Sequence, residues 1–511
     1  MQIKGNFGNK LIIVLIPMII AAFFGVNSSI NQSKAQAELG YWTGYLPIIQ
    51  KIPSPSIFGA ETTILDSSKM LSMANDANLY WMRSFVFDWN KIEASPGTYD
   101  WSTVNETGLI SASQNNLTVI ATVKFTPDWA QKEPGYICGA IKPEALDEFA
   151  TFLQEVVHRY SHYPYNLKYI QLGNEPDIDP EIVPFPDNIF GCWGDDDDPY
   201  YGGGYYAEML KTVYPAIKEI DPTIQIVIGG LLLDQDPTWP DSPDPLPGKF
   251  FEGIIQNYGA NYFDIVAFHA YPRWAKSTGL SNEENHPYWA HRGGFVIGKI
   301  DYLREIMQQY ESMYGYSIDK PIIQTESALT CINDTYCTDP IYPERLELFY
   351  QAQAEYSVIV YVRNIANNIL GTIWYTIEYP GWRLSSMLEK NGSPKPIYYA
   401  LANLEKELRG TWFSKQITIN PYDPRLLQAY EFNSLNRSIW VIWVSDMCQE
   451  DISEPIDLNQ DCEIDPEVEP PLINLPENWL SVRDMYGNTI FPVNNQIILN
   501  SISPVFIEIA R

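Results

Sequence analysis

Between about residues 55 and 410 the chain alternates short apolar runs with longer segments of helical spacing. The apolar runs lie at 56–64, 79–87, 117–125, 167–175, 224–233, 263–271, 320–329 and 369–378. They are rich in β-branched and aromatic residues. Their near-continuous apolar character is what strands covered on both faces require. Segments 143–161, 205–220, 298–313 and 346–368 repeat apolar residues at the helical period, and 395–410 ends on Gly410, a helix stop. Eight strands, each followed by helical or connecting sequence over a span of this size, predict a (β/α)8 TIM barrel at 55–410. A doubly wound open sheet is the alternative, but no glycine-rich phosphate loop follows an early strand. After Gly410 helical spacing disappears. Runs at 411–419, 426–432, 437–445, 479–487, 496–500 and 504–510 predict a C-terminal antiparallel β-sandwich domain at 411–511, with an acidic insertion at 446–470.

The first 54 residues follow a different pattern. Lys4 and Lys10 precede an apolar run from Leu11 to Val26, and the small residues Ala35 and Ala37 follow. This is the layout of a signal peptide over 1–37, with 38–54 as linker. The run is short for a spanning helix of roughly 17–25 residues, and an uncleaved N-terminal membrane anchor is the other reading. Both readings place the body of the protein outside the cytoplasm. The net charge of −30 argues against nucleic acid or an anionic membrane surface as a partner. Cysteines at 138, 192, 331, 337, 448 and 462 contain no CxxC pair, which speaks against zinc. In an exported chain they read as disulfides: Cys331–Cys337 and Cys448–Cys462 as short staples, leaving Cys138–Cys192. Sequons at Asn105, Asn116, Asn333 and Asn436 fit an exported chain and require nothing of the host.

Chemistry in a barrel of this kind gathers at the C-terminal ends of the strands. The second strand begins near Arg83 and runs into "FDWNKIEASPGTYDW"; the other ends carry Trp129 after the third, Asn174-Glu175-Pro176 on the fourth, His269-Ala270-Tyr271 on the sixth, Thr325-Glu326-Ser327 on the seventh, and Trp374 then Glu378 on the eighth. Glu175 and Glu326 sit at comparable depth on strands four and seven. Two opposed carboxylates are what glycoside hydrolysis needs, one protonated for the leaving oxygen and one ionised toward the anomeric carbon. Flat aromatic faces, abundant among 15 Trp and 34 Tyr, are a common way to hold sugar rings. The acidic run Asp195–Asp198 reads as a solvated turn, with calcium as a lesser alternative.

"LGNEP", "FHAYP", "IQTES" and "IWYTIE" at strands four, six, seven and eight together resemble the clan A glycoside hydrolases. "WNKIEASPGTYDW" and "EKNGSPKPIYYALANL" agree, and the texture is closest to family 39 and cellulase-type family 5. The resemblance covers about 55–410 and implies retaining hydrolysis of O-glycosyl bonds by double displacement, with a β-linked oligosaccharide or polysaccharide as substrate. It implies Glu326 as nucleophile and Glu175 as acid/base. It also implies Asn174 on the sugar 2-hydroxyl, Arg83 and Tyr271 on Glu326, His269 lining the site, Trp374 under the bound sugar and Trp129 as a second wall. No metal or organic cofactor is required. A glycan-binding protein without turnover and a transglycosylase are the rival readings on the same barrel. The sugar itself is set by loops and stays open between xylosides, glucosides, galactosides and glucans.

Overall fold

In the computed structural model the structure describes residues 56–65, 68–182, 190–275, 281–284, 286–418, 427–444, 471–499 and 502–511. The expected signal segment and linker, the Cys448–Cys462 pair and the acidic insertion lie outside the described residues. Among the described residues no helix is long and apolar enough to cross a membrane.

All eight expected strands form. They are β1 (Phe58–Glu61), β2 (Trp81–Asp88), β3 (Thr118–Lys124), β4 (Tyr169–Asn174), β5 (Gln225–Gly230), β6 (Val266–Ala270), β7 (Ile322–Ser327) and β8 (Thr372–Trp374). They pair in parallel in the order β5-β4-β3-β2-β1-β8-β7-β6. Parallel bridges Val227–Ile265 and Leu231–Phe268 join β5 to β6 and close the barrel. Helices follow the strands in turn: α1 (Ser68–Asp76), α2 (Glu106–Gln114), α3 (Leu146–Tyr160), α4 (Gly203–Ile220), α5 (Phe250–Gln256), α6 (Phe295–Tyr314), α7 (Glu344–Ala366) and α8 (Pro396–Leu408). Gly410 adopts φ 72° just past α8, the left-handed stop that its sequence position suggested.

Side chains alternate across each strand. One set fills the barrel floor: Trp81, Ile120, Val227, Ala267, Ile323 and Ile373, with Ile265 beside them. Two residues further along, the same inward register carries Glu61 on β1, Arg83 on β2, Thr122 on β3, Gln171 on β4, His269 on β6 and Thr325 on β7, all buried. An apolar plug thus supports a layer that is almost wholly polar. The eighth strand is shorter than expected, 372–374 against 369–378; past Trp374 regular pairing gives way to the rim loop, where Tyr375 N–H still donates to Ser327 O at 2.9 Å and Ile377 N–H to Glu61 O at 3.0 Å.

The C-terminal strands are β9 (Trp412–Gln416), β10 (Leu427–Asn433), β11 (Arg437–Val444), β12 (Trp479–Asp484) and β13 (Val505–Ala510). They form an antiparallel sheet in the order β9-β10-β11-β13-β12. A two-stranded ribbon of Leu472–Asn474 with Gln496–Ile498 covers one side, and its first strand had no counterpart in the sequence reading. Period-two alternation divides the faces. Ala429, Ile442, Val482 and Ile507 pack with Ile473 and Ile497 of the ribbon. Phe432, Val441, Trp443 and Phe506 join the core shared with the barrel helices.

Two of the three expected disulfides are described, Cys138–Cys192 and Cys331–Cys337. Cys138–Cys192 ties the loop after β3 to the loop after β4 across a separation of 54 residues. By loop-closure entropy, the Cys138→Ser/Cys192→Ser double variant should lose about 4 kcal/mol of stability. The check is chemical denaturation beside the unaltered protein.

Candidate active site

The polar layer converges on Arg83, which is completely buried. Its Nε donates to Gln171 Oε1 at 2.7 Å and its Nη2 to Asn174 Oδ1 at 2.6 Å. Its Nη1 donates to both Glu61 Oε2 and Glu326 Oε1. Tyr271 Oη donates to the second oxygen of Glu326. Donors therefore face both oxygens of Glu326, which suits a group that works as a carboxylate.

Local irregularities bring the glutamates inward. Along β6 and β7, Phe268 pairs with Gln324 and His269 pairs with Glu326, so Thr325 is an extra residue on β7. This bulge turns Thr325 and Glu326 into the barrel mouth one after the other, which an unbroken pleat would forbid. On β4, Gly173 at φ 87° and Glu175 at φ 51° leave the extended region in the same way, and Glu175 N donates to Gly230 O at 3.0 Å. A left-handed conformation at a glutamate costs of order 1–3 kcal/mol and persists where the surroundings over-determine it. The next strand helps in another way. A Cβ on Gly230 would stand 1.9 Å from His269 Nε2, so only glycine lets that imidazole lie across β5.

His269 links the two acids. Its Nδ1 lies 2.8 Å from Glu175 Oε1 and 3.4 Å from Glu326 Oε2, and its Nε2 lies 3.1 Å from Thr325 Oγ1. Burial holds the imidazole neutral, with its pKa pushed down to about 3. Gln171 Nε2 donates to Thr325 Oγ1 at 3.2 Å. That arrangement fits a threonine hydroxyl donating to Nε2 and an Nδ1–H donating to Glu175. Burial also pushes the Glu175 carboxyl up, to about 7, against the opposing pull of Arg83 and Lys299. Carboxylate oxygens of Glu175 and Glu326 and a nitrogen of His269 all fall within 4.8 Å of one another. One carboxyl is thus held near its protonated form while the other faces charge-assisting donors, within a few ångströms.

Behind this face, Lys299 of α6 donates to Leu232 O at 2.7 Å and to His269 O at 2.9 Å. Asp177 accepts the backbone N–H groups of Leu232 and Leu233 at 2.9 and 2.8 Å. Together they pin the end of β6 and the loop after β5.

Of the residues singled out in the sequence, Arg83, Asn174, Glu175, His269, Tyr271 and Glu326 come together in one buried network. Trp374 does not join them, which corrects its expected place under the sugar. It is wholly buried on the outer side of β8, where its indole donates to Ser385 O at 2.8 Å and its ring tilts against Tyr356 of α7. Inward Ile373 sets the parity of the strand, so Trp374 must point to the helices. The inward aromatic is the next residue, Tyr375, whose ring stands edge-on 5.9 Å from Tyr271. Trp382, in the loop after β8, stands edge-on to Tyr271 at 5.1 Å and is 43% exposed. Trp129 is half-buried against Trp89, with its indole donating to Glu93 O at 3.0 Å. Sequence reasoning gave no role to Glu61, Gln171, Thr325, Tyr375 or Trp382. Strand parity exposes the first three, since each lies two residues beyond a floor residue or its register partner. The Asp195–Asp198 run forms turns, with Asp195 and Asp198 carboxylates capping the N–H groups of Asp197 and Tyr200.

No family model matches the sequence, and no curated protein matches it. Solved structures do match in fold. A family 39 glycoside hydrolase from Bacteroides cellulosilyticus superposes with a TM-score of 0.62 at 16% identity, over 90% of this chain and 81% of that one. A family 51 α-L-arabinofuranosidase from Bifidobacterium longum superposes with a TM-score of 0.54 at 11% identity, over 89% and 96%. A conserved exported protein from Bacteroides fragilis gives 0.57 at 14% identity, over 89% and 98%. The barrel and its C-terminal sheet therefore share the fold of solved clan A glycoside hydrolase structures.

Proposed function

We propose that this protein is an exported retaining glycosidase, with Glu326 as nucleophile and Glu175 as acid/base. The observation that carries this reading is the approach of the two carboxyl groups, with oxygens within 4.8 Å, at the mouth of a closed barrel. Retaining enzymes hold them about 5–5.5 Å apart, and inverting enzymes leave about 6.5–9.5 Å for a water. Glu326 attacks the anomeric carbon as Glu175 protonates the leaving oxygen. Glu175 then takes a proton from the water that releases the glycosyl-enzyme. Arg83 and Tyr271 hold Glu326 oriented, and the Arg83–Asn174 bond fixes the amide that meets the sugar 2-hydroxyl. Two disulfides support export. The substrate class is a β-linked oligosaccharide or polysaccharide.

The decisive experiment is a panel of aryl β-glycosides, with aryl α-L-arabinofuranoside included, in which the first-formed sugar is followed by NMR. Net retention supports the mechanism; net inversion sinks it.

Trp382 takes the part that Trp374 does not. It is exposed, and it stands on the tyrosine that holds Glu326. The Trp382→Ala variant should bind substrate more weakly by about 1–3 kcal/mol, seen as a raised KM, whereas Trp374→Phe should instead lower thermal stability.

A further inference from the structure

The structure places a third carboxyl group in the site that the two-carboxylate mechanism does not use. Glu61, at the end of β1, is 1% exposed. It shares Arg83 Nη1 with Glu326, so a single guanidinium serves two buried carboxyl groups through one nitrogen. The two groups are not equivalent. Glu326 has Tyr271 on its other oxygen and His269 Nδ1 at 3.4 Å. The groups facing Glu61 are Arg83 from β2, Glu326 from β7, Glu378 and Tyr375 from beyond β8, Tyr271 from beyond β6, and Lys124 at the end of β3. Two of these are further carboxyl groups. Glu378 is held in place by Thr62 and by Thr376 Oγ1 at 2.9 Å.

Resting on the glycosidase reading above, we infer that Glu61 is a positioning residue that holds a proton throughout the reaction, so that the charge of Arg83 is directed to Glu326. Charge balance gives the reason. Before attack, Glu326 is the one ionised carboxylate against Arg83 and Glu175 is protonated. After attack, Glu326 is an ester and Glu175, having given its proton to the leaving oxygen, is the one ionised carboxylate. A neutral Glu61 keeps these buried groups balanced in both halves. An ionised Glu61 would add an uncompensated charge and draw the Arg83 guanidinium away from Glu326, although Nη1 has one N–H for each. Burial is the largest influence on Glu61 and raises its carboxyl to about 8, against the attraction of Arg83. The sign follows directly. The group is protonated below that pH, and it ionises, with loss of the arrangement, as pH rises through it.

The test is Glu61→Gln, an uncharged isostere of the protonated acid, read in the pH profile of kcat/KM for an aryl glycoside. In the unaltered protein Glu175 and Glu61 both lose protons on the alkaline side, so log kcat/KM should approach a slope of −2. In Glu61→Gln the slope should relax to −1, with at least about a tenth of the activity kept at pH 6. Glu61→Asp should keep the steep limb. A Glu61→Gln variant with an unchanged limb, or with activity reduced more than 100-fold at pH 6 while folded, would overturn the inference. A readout independent of turnover is the 13C titration of glutamate carboxyl groups. One resonance titrating near pH 8 and missing in Glu61→Gln supports the proton on Glu61 even if no glycoside is cleaved. Complete titration of every glutamate below pH 6 refutes it.

Discussion

Glu326→Ala should cut turnover of aryl glycosides by at least about 10^4-fold, because no covalent intermediate can form without the attacking carboxylate. The space left by the side chain admits a small anion. Added azide should restore activity and yield a glycosyl azide of inverted configuration, since azide then attacks from the face Glu326 occupied. The measurement is product analysis by NMR with and without azide. Loss of activity without rescue, in a variant that keeps its melting temperature, would move the nucleophile elsewhere. Misfolding is separable from loss of the nucleophile because Glu326→Gln keeps the shape of the side chain, with its amide oxygen accepting from Arg83 and its NH2 donating to Tyr271 Oη.

Glu175→Gln should have a different signature. Removing a general acid costs about 10^2–10^4-fold when the leaving group needs a proton, and far less for an activated phenol that departs unaided. The ratio of rates between a poor and a good leaving group should therefore widen sharply. The same variant should lose the alkaline limb near pH 7. The acid must be protonated to act, and burial raises its pKa to about 7, so activity falls as pH rises through that value. With a glutamine in place only the limb assigned to Glu61, near pH 8, should remain. Azide added to a smaller replacement, Glu175→Ala, should give a glycosyl azide of retained configuration. Opposite stereochemistry from the two alanine variants assigns the roles without reference to any other enzyme.

The eight barrel strands and five of the helices, α3, α4, α6, α7 and α8, were legible in the sequence. A covered parallel strand must be apolar on both faces, and a helix on the barrel must repeat its apolar residues at 3.6. Six of the C-terminal strands were legible as runs of β-branched and aromatic residues, and β10, β11 and β13 keep at least one face buried. The third residue set that could be read was the chemistry at the strand ends, because Asn174, Glu175, His269, Tyr271 and Glu326 stand at or beside the last residues of strands and the fold turns those ends to one rim, whereas Arg83 reaches them from within β2.

The local details that choose between neighbouring side chains were not legible. Trp374 and Tyr375 are both aromatic and adjacent, and a shift of one residue exchanges the barrel mouth for the helix layer. The inward position of Ile373 settles that parity, and it is a fact of packing against Trp81 and Ile323. Glu61 falls inside the run at 56–64; pairing of Glu61 with Arg83 across β1 and β2 puts it on the guanidinium that also holds Glu326. The bulge at Thr325 and the left-handed turn at Glu175 are likewise invisible to a period-two count, yet they aim both acids. Local sequence by itself determined which elements form and which residues reach the rim, because burial of each face is written in every strand and helix. Tertiary structure alone decided which of those residues share one cation, which face water and which hold a proton, because desolvation and shared hydrogen bonds depend on distances between strands far apart in the chain.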